Sequence, residues 1–490
     1  MAMVAIAWIL MRHIPVSHDV IWQMWVARQL IGGAQLYVEI LELNPPLWFW
    51  LAVPVEWVAQ IIALTPGEAI VGAVFVYATV SLLLVARICS DLDRWHRFQL
   101  LASVGFATIC LPIPFFAQRE HLTLIGAVPY VILAARRADR LSTPFVNAVL
   151  VGLVAAIGLA LKHYFVLIPI LLEVWLRLRL RRMWRPVRPE TTTLAICGIV
   201  YAASVLLYAH PYFDNIVPML TLAYDGYNAS YLRQLVRFFV GIWLIGFPLL
   251  FWTGRSNLAS VAFWTSAGFV AIYFIQQRGF DYHSLPATGL LFIGLAATLQ
   301  IGTPSLGHAL RSISVASALG LMLVVVAISG PYENSKRTIA EHFLNGVQPG
   351  EAVLMISANP STIWPMIEEA GLVWPSRHMT FWMLAAIAQQ QQQQGSLSPR
   401  MQLLADEIRM QTSEDMRCYE PAIILVDDLR RSNANGYDAL RFFRQYEPFE
   451  EAFQSYKPIG KRKNLTAFVR QTKSKSPTPT SCRTVHAARQ

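Results

Sequence analysis

Residues 47–64 read LWFWLAVPVEWVAQIIAL, and the fold of this 490-residue chain depends on whether that apolar stretch crosses a membrane. Pro54 and Glu56 interrupt the stretch, the pair Pro45-Pro46 precedes it, and Thr65-Pro66-Gly67 ends it. A glutamate within a membrane span is energetically costly. We therefore expect residues 47–64 to form a helix that lies on, or dips into, the outer leaflet of a bilayer.

The chain as a whole has the composition of an integral membrane protein. Hydrophobic residues make up 55% of it and charged residues 14%, whereas a soluble globular protein carries about 25% charged residues. Apolar stretches close to the ~20 residues that cross a bilayer recur along the sequence. They are Glu68–Ala86, Gln99–Phe116, Phe145–Leu161, Thr192–Ala209, Val236–Trp252, Ser260–Ile275, His283–Leu299 and Ile313–Ser329, with the shorter Leu122–Ala135 and Tyr164–Leu176. Together with the N-terminal segment Met1–Pro15, they predict about 11 transmembrane helices.

Positively charged loops set the orientation, because basic loops mark the cytoplasmic side. The basic loops are Arg87–Arg97, Arg136–Arg140, Arg177–Arg188, Arg255 and the loop ending at Arg311, and the loops poor in Lys and Arg are Ser17–Asn44, Ala117–His121, Lys162–His163, Pro211–Leu232 and Gln276–Tyr282. The two sets alternate only if residues 47–64 do not cross. We therefore expect a multi-pass protein of the cell membrane, most simply the bacterial inner membrane, with an inside N-terminus and an outside C-terminus.

A change of pattern after Gly330 predicts a second domain. The predicted elements are the buried strands Glu351–Ser357 and Pro421–Asp427, the helices Thr362–Ala370 and Ala439–Tyr446, and a closing hairpin or strand within Ile459–Arg470. We expect a membrane domain at residues 1–330, an extracytoplasmic α/β domain at residues 331–470 and a disordered tail at residues 471–490. The expected fold is thus an all-α polytopic membrane domain, with surface helices in its first outer loop, plus a small C-terminal α/β domain.

The net charge of +10 does not indicate a nucleic-acid partner. Much of the basic charge lies in short loops between apolar stretches and in the tail after Lys457, and no basic stripe is interleaved with aromatic residues. The five cysteines show no metal-binding spacing. Only Cys418 and Cys482 belong to the water-facing part, where the sequence permits a disulfide between them.

Polar residues that could carry chemistry gather in the expected outer loops. The carboxylates of Asp19 and Glu120 can take a proton from a sugar or lipid hydroxyl. The cations Arg119, Lys162 and Arg278 can hold a phosphate and stabilise it as a leaving group. The remaining candidates for substrate contact are His18, Asn44, His121, His163, Tyr282 and His283. Together these groups suit the transfer of a sugar from a lipid-phosphate carrier.

The order of these motifs resembles a known family. The chain has Asp19 after the first apolar segment, then Gly32-Gly33, Leu36-Tyr37 and Asn44-Pro45-Pro46-Leu47, an acidic Glu120 in the next outer loop, and a late Tyr282 followed by Pro286. This order is similar to that of the GT-C superfamily of polyprenyl-phosphate-sugar-dependent glycosyltransferases, nearest to protein O-mannosyltransferases and lipid A aminoarabinose transferases. The resemblance covers about Met1–Ser329.

The resemblance implies an inverting enzyme that uses a polyprenyl-phosphate-linked sugar and works among membrane lipids, with a lipid, a polysaccharide or a protein as acceptor. Asp19 matches the family's catalytic base, Glu120 its second acidic residue, and Tyr282 with Pro286 the element beside the donor phosphate. The chain departs from the family where Asn44 replaces a Lys or His, and where His18 precedes Asp19 instead of a second acid. No cofactor is required by this reading, and a divalent metal stays open.

Each candidate also has a purely structural explanation. Asp19 could serve as the N-cap of the helix that follows it, and Glu120 could simply pair with Arg119. Lys162 could extend to the membrane interface, and the histidines could be hydrogen-bonded packing residues.

Two other functions fit the sequence. A transporter or flippase of a lipid-linked glycan would show inverted repeats and charges at mid-membrane depth, and no such repeat is visible. A non-catalytic membrane assembly protein would leave the common sidedness of Asp19, Glu120 and Lys162 unexplained.

Overall fold

The computed structural model describes residues 11–253, 256–299, 306–333, 337–429 and 436–471, together with Cys482. The chain forms two compact units. The first unit comprises Met1–Val16, Val58–Leu206 and Ala229–Tyr332, and the second comprises Ser17–Trp57, Leu207–Asn228 and Glu333–Gln490. The start of the expected N-terminal helix at residues 1–10, the basic loop at Arg255 and most of the expected tail at 472–490 lie outside the described residues.

Helices make up most of the described chain. In chain order they are α1 (His18–Ile31), α2 (Leu47–Ile62), α3 (Pro66–Ile88), α4 (Arg94–Gly105), α5 (Arg119–Ala138), α6 (Phe145–Leu159), α7 (Leu167–Leu180), α8 (Pro189–Tyr208), α9 (Val217–Ala223), α10 (Tyr231–Leu235), α11 (Phe238–Thr253), α12 (Asn257–Gln276), α13 (Leu285–Ala296), α14 (Leu306–Ser329), α15 (Arg337–Leu344), α16 (Met366–Glu369), α17 (Leu384–Gln394), α18 (Pro399–Tyr419), α19 (Ala439–Arg444) and α20 (Glu447–Phe453). Each predicted apolar stretch from Glu68–Ala86 onward is largely helical.

Four helices in the described part of the chain are long and apolar enough to cross a membrane. They are α3, α8, α12 and the Ala309–Ser329 part of α14. Three shorter apolar helices accompany them, at Leu47–Ile62, Phe145–Leu159 and Trp243–Trp252. The protein is therefore a helical membrane protein, as the composition predicts.

The predicted end of the apolar stretch at residues 47–64 coincides with a helix boundary. Helix α2 ends at Ile62, and α3 begins with a capping box in which the Thr65 side chain and Glu68 each bond the other's backbone N–H. Pro66 occupies the first turn of α3, where a proline costs no hydrogen bond. Glu56 within α2 is buried, at 1% exposure.

In the first unit, α5 and α6 pack closely because glycines face each other where the helices cross. A Cβ on Gly126 of α5 would meet the Tyr77 hydroxyl and, at 2.8 Å, the Val154 carbonyl oxygen. A Cβ on Gly158 of α6 would lie 2.9 Å from the Leu122 carbonyl oxygen. Small residues let membrane helices approach this closely. The crossing fixes the spacing between the start of α5 and the end of α6.

The second unit contains a four-stranded mixed sheet. Its strands β1 (Val353–Ile356), β2 (Ile423–Asp427), β3 (Tyr456–Arg462) and β4 (Leu465–Arg470) lie in the order β1-β2-β4-β3. The β1–β2 pair is parallel, and the other two pairs are antiparallel. Both predicted buried strands and the closing hairpin are confirmed, as is the helix at 439–446. The helix predicted at 362–370 is shorter than expected, since only Met366–Glu369 (α16) is α-helical.

A disulfide joins the end of α18 to the C-terminal region of the second unit. Cys418 and Cys482 are bonded, with their Cα atoms 5.7 Å apart. The disulfide that the sequence permits is therefore present. Cys89, Cys110 and Cys197, all in the first unit, are free thiols.

Candidate active site

A buried cluster of polar side chains lies in the first unit, centred on Lys162. The Lys162 Nζ donates to Glu120 Oε1 at 2.5 Å, to Gln276 Oε1 at 3.2 Å and to His283 Nε2 at 3.1 Å. The His283 Nε2 is also 3.5 Å from Glu120 Oε1. The structure thus brings together three of the predicted site residues, Glu120, Lys162 and His283. Gln276 completes the cluster and was not among the predicted residues.

Four separate elements contribute to this cluster, which explains why no short motif encodes it. Glu120 stands in the first turn of α5, and Lys162 follows α6 in extended conformation. Gln276 is the last residue of α12, and His283 belongs to the short 3-10 turn Asp281–Ser284 before α13. Every member therefore sits at a helix end, where backbone direction changes and a side chain can point along the helix axis.

The cluster is almost fully removed from solvent. Glu120 is 0% exposed and Lys162 is 8% exposed. Within the described residues, Glu120 Oε2 and His283 Nδ1 are buried and have no hydrogen-bond partner. A buried polar atom without a partner costs about 1–3 kcal/mol, so these two atoms require an explanation.

Further cationic and aromatic groups border the cluster. Arg119 and Arg278 both interact electrostatically with the His283 ring. The Tyr282 ring centroid is 5.8 Å from Lys162 Nζ, and the Tyr282 and His283 rings are 4.6 Å apart. All three predicted cations, with Tyr282, therefore belong to one neighbourhood of the first unit.

The two other candidate histidines of the first unit occupy different settings. His121 is fully buried, and both of its ring nitrogens are bonded within the protein. Nδ1 accepts from the Ala117 N–H at 3.1 Å, and Nε2 donates to the Thr108 carbonyl at 2.7 Å. His163 is exposed and packs on the Tyr164 ring at 3.9 Å. His121 thus has the geometry of a packing residue.

Asp19, His18 and Asn44 belong to the second unit. Asp19 lies in the first turn of α1, whose N-cap is Ser17. Asp19 therefore does not occupy the N-cap position that the structural explanation would give it. Its carboxylate is 3.5 Å from His18 Nε2, and both side chains are about a fifth to a quarter exposed, at 21% and 24%. The carboxylate is therefore partly exposed.

A buried carboxylate that the sequence analysis did not single out stands beside Asn44. Glu42 Oε1 accepts from the Asn44 side chain at 2.6 Å and from the Asn44 backbone at 3.0 Å, and Glu42 Oε2 accepts from the Trp22 indole at 2.5 Å. The Tyr37 hydroxyl donates to the Asn44 carbonyl at 2.6 Å. A glutamate in an apolar loop just before Pro45-Pro46 was the available signal for it.

A second ion-pair network in the same unit centres on Arg28 of α1, whose side chain is 37% exposed. Arg28 donates to Glu56 Oε1 at 2.7 Å and to Glu368 Oε2 at 2.6 Å. Burial raises the pKa of Glu368, and the neighbouring Arg28 charge opposes that rise. The charge of Glu56, which argues against a membrane span in the sequence, is thus neutralised by Arg28.

The described residues contain no group of three or more His, Cys, Asp or Glu side chains that could hold a metal ion. At the buried cluster, Glu120 and His283 offer one carboxylate and one imidazole, and the Lys162 ammonium lies between them. A positive charge already occupies the position that a cation would take.

No protein-family model matches the chain, and no curated protein sequence matches it. Among solved structures, it matches ArnT from Cupriavidus metallidurans, crystallised with undecaprenyl phosphate, at a TM-score of 0.56 and 12% identity over 95% of this chain and 96% of ArnT. The arabinofuranosyltransferase AftD from Mycobacteria matches at a TM-score of 0.47 and 13% identity over 96% of this chain and 40% of AftD. The likeness to ArnT confirms the predicted GT-C resemblance as a resemblance of fold.

Proposed function

We propose that this protein is an integral membrane glycosyltransferase that moves a sugar from a polyprenyl-phosphate carrier to a hydroxyl acceptor. The observation that carries the proposal is the buried cluster of Glu120, Lys162 and His283, with Arg119 and Arg278 beside it. A concentration of cations in a low-dielectric setting is suited to binding a phosphate and stabilising its developing charge. The fold shared with ArnT, which was crystallised with undecaprenyl phosphate, supports the same assignment.

In the proposed reaction, the cations act on the leaving group. The bond between the anomeric carbon and the carrier phosphate breaks, and the electron pair stays on the phosphate oxygen. Lys162, Arg119 and Arg278 would offset that negative charge, and Glu120 would orient the Lys162 ammonium through its 2.5 Å contact. His283 and Tyr282 would complete the surface that faces the phosphate.

Asp19 is the proposed general base. It would take the proton of the acceptor hydroxyl as that oxygen attacks the anomeric carbon from the face opposite the phosphate, which inverts the configuration. Its partial exposure and its place in the first turn of α1 support this role. His18, Asn44 and His163 would contact substrate, and His121 would hold the loop that precedes Glu120. No step requires a metal.

The disulfide supports an extracytoplasmic location for the reaction. Structural disulfides form in oxidising compartments and are rare in the cytosol. Cys418 and Cys482 are bonded in the second unit, which also contains Asp19. This placement agrees with the outside C-terminus that the basic loops predict.

A turnover assay tests the proposal. Purified protein would be given a panel of polyprenyl-phosphate sugars, and the release of polyprenyl phosphate would be measured for the wild type and for Asp19→Asn. We expect turnover with one donor, and a loss of about 10³-fold or more in the variant, because the base is removed.

The matched control is Asp93→Asn. Asp93 also has a histidine beside it and caps α4 through two backbone N–H groups, and asparagine is an equally good N-cap. Its turnover should equal that of the wild type. Unchanged turnover in Asp19→Asn, or none with any donor in the wild type, would overturn the proposed function.

A further inference from the structure

We infer that the C-terminal α/β domain positions the α1 helix, and hence Asp19, through contacts that its residues Trp364 and Glu368 make with α1. The inference rests on the proposed function for the role of Asp19. The contacts themselves belong to the second unit alone. They give the domain a part in catalysis, distinct from binding an acceptor.

The first set of contacts is electrostatic. Arg28, in the last turn of α1, bridges the buried carboxylates of Glu56 and Glu368. The Glu56 side chain is 2% exposed and the Glu368 side chain 10% exposed. The Arg28 side chain itself is 37% exposed. The bridge still resists displacement of α1, because moving Arg28 away would leave two buried carboxylates without their cation.

The second set of contacts is aromatic and lies in the middle of α1. Trp22 stacks on Trp25 with ring centroids 4.5 Å apart, and both rings meet the edge or face of Trp364 at 5.2 Å and 6.0 Å. Trp364 in turn contacts Trp374 at 5.6 Å. These four rings are buried, so their packing fixes the rotation of α1 about its own axis.

Two further hydrogen bonds tie α1 to the rest of the first outer loop. Trp22 donates its indole N–H to Glu42, and the Gln23 amide donates to the Trp48 carbonyl at 2.6 Å. Side chains of α1 thus contact Glu42, Trp48, Glu56, Trp364 and Glu368.

Helix geometry gives the distance that Asp19 moves when α1 tilts about its Arg28 end. Arg28 follows Asp19 by nine residues, which is about 13 Å along the axis. A tilt of about 4° at the Arg28 end would therefore move Asp19 by about 1 Å, and such a displacement of a catalytic group can cost on the order of 10²-fold in rate.

The test compares Glu368→Gln with Glu450→Gln. Glu450 pairs with Arg444 at 2.6 Å on the exposed side of the same domain, so it is a matched control with the same substitution. We expect Glu368→Gln to lower kcat by about tenfold while the KM for the donor stays within about twofold, because positioning and not donor binding is lost. Glu450→Gln should leave both parameters unchanged.

Two further measurements distinguish the positioning of α1 from general stabilisation of the fold. They are the rescue of kcat by a conservative substitution of Arg28 and the hydrogen exchange of the α1 amides. Arg28→Gln should reduce kcat at least as much as Glu368→Gln, and Arg28→Lys should recover most of the loss since it keeps the charge. Amides of residues 20–30 should exchange about tenfold faster in Glu368→Gln than in Glu450→Gln. A fall in Tm with unchanged kcat and unchanged α1 exchange would overturn the inference.

The two proposals fail in different ways. If the wild type turns over no donor, the proposed function fails, and α1 exchange still decides whether the C-terminal domain holds the helix. If the wild type is active and Asp19→Asn is inactive, unchanged kcat and exchange in Glu368→Gln refute the positioning role alone.

Discussion

The ion pair between Lys162 and Glu120 gives the sharpest quantitative prediction. We expect Lys162→Met to destabilise the first unit by about 3–5 kcal/mol, which is the range for breaking a buried pair by removing one partner. This range applies because the Glu120 side chain is 0% exposed and the two charged atoms are 2.5 Å apart. The variant would leave a carboxylate with no solvent and no cation in contact with Oε1.

The cycle is completed by the single variant Glu120→Gln and by the double variant Glu120→Gln/Lys162→Met. With both charges gone, most of the lost stability should return, because an apolar or neutral replacement of a whole buried pair is close to neutral. Free energies of unfolding would be measured by denaturant titration in mixed detergent micelles. A coupling energy below about 0.5 kcal/mol would refute the reasoning, since it would mean that the two side chains act independently. The exposed pair Arg444 and Glu450, treated the same way, should couple by less than about 1 kcal/mol.

Three further predictions follow from other features. The double variant Cys418→Ser/Cys482→Ser should lower the free energy of unfolding by about 4 kcal/mol, given a sequence separation of 64 residues. Calorimetry of wild type and variant under non-reducing conditions measures the difference, and equal stability would contradict the prediction. Burial lowers the pKa of His378 to about 4, so the folded state excludes a proton that the unfolded state binds below about pH 6.5, and stability should fall by up to about 3 kcal/mol as pH drops from 6.5 towards 4. His378→Gln should flatten that pH profile, and an unchanged profile would exclude this histidine as its source. Gly126→Ala should lower the Tm and reduce turnover together, because the added Cβ collides with Tyr77 and the Val154 carbonyl and spreads α5 from α6; Gly198→Ala, which has open space around it, is its control.

Most of the secondary structure could be predicted from the sequence. Apolar stretches of near-bilayer length are helical because a backbone in lipid must satisfy its own hydrogen bonds. The strands at 353–356 and 423–427 were predictable from short runs of buried β-branched and aliphatic residues. The helix α18 was not predicted, although its sequence carries helix signals. Ser398 caps it and Pro399 begins it, and its buried residues Met401, Leu404, Ala405 and Ile408 recur at helical spacing.

The candidate site was predictable only in part. Glu120, Lys162 and His283 were grouped by their expected sidedness, and the structure brings them into contact. Gln276 and Glu42 were missed because neither forms a motif with its sequence neighbours. The bridge from Arg28 to Glu368 could not be foreseen, since periodicity and local propensity carry no information on a pair separated by 340 residues.

The long separation in sequence between Arg28 and Glu368 affects the order in which their contact can form. Arg28 leaves the ribosome 340 residues ahead of Glu368, which at about 5–20 residues per second is a delay of about 20 to 70 s. During that interval α1 lacks its contacts with Trp364 and Glu368. Asp19 then lies on a helix whose C-terminal end is not yet held in place. Arrival of the C-terminal domain then supplies the contacts of Trp364 and Glu368 as the last assembly step, so we expect an interrupted chain to keep α1 without them.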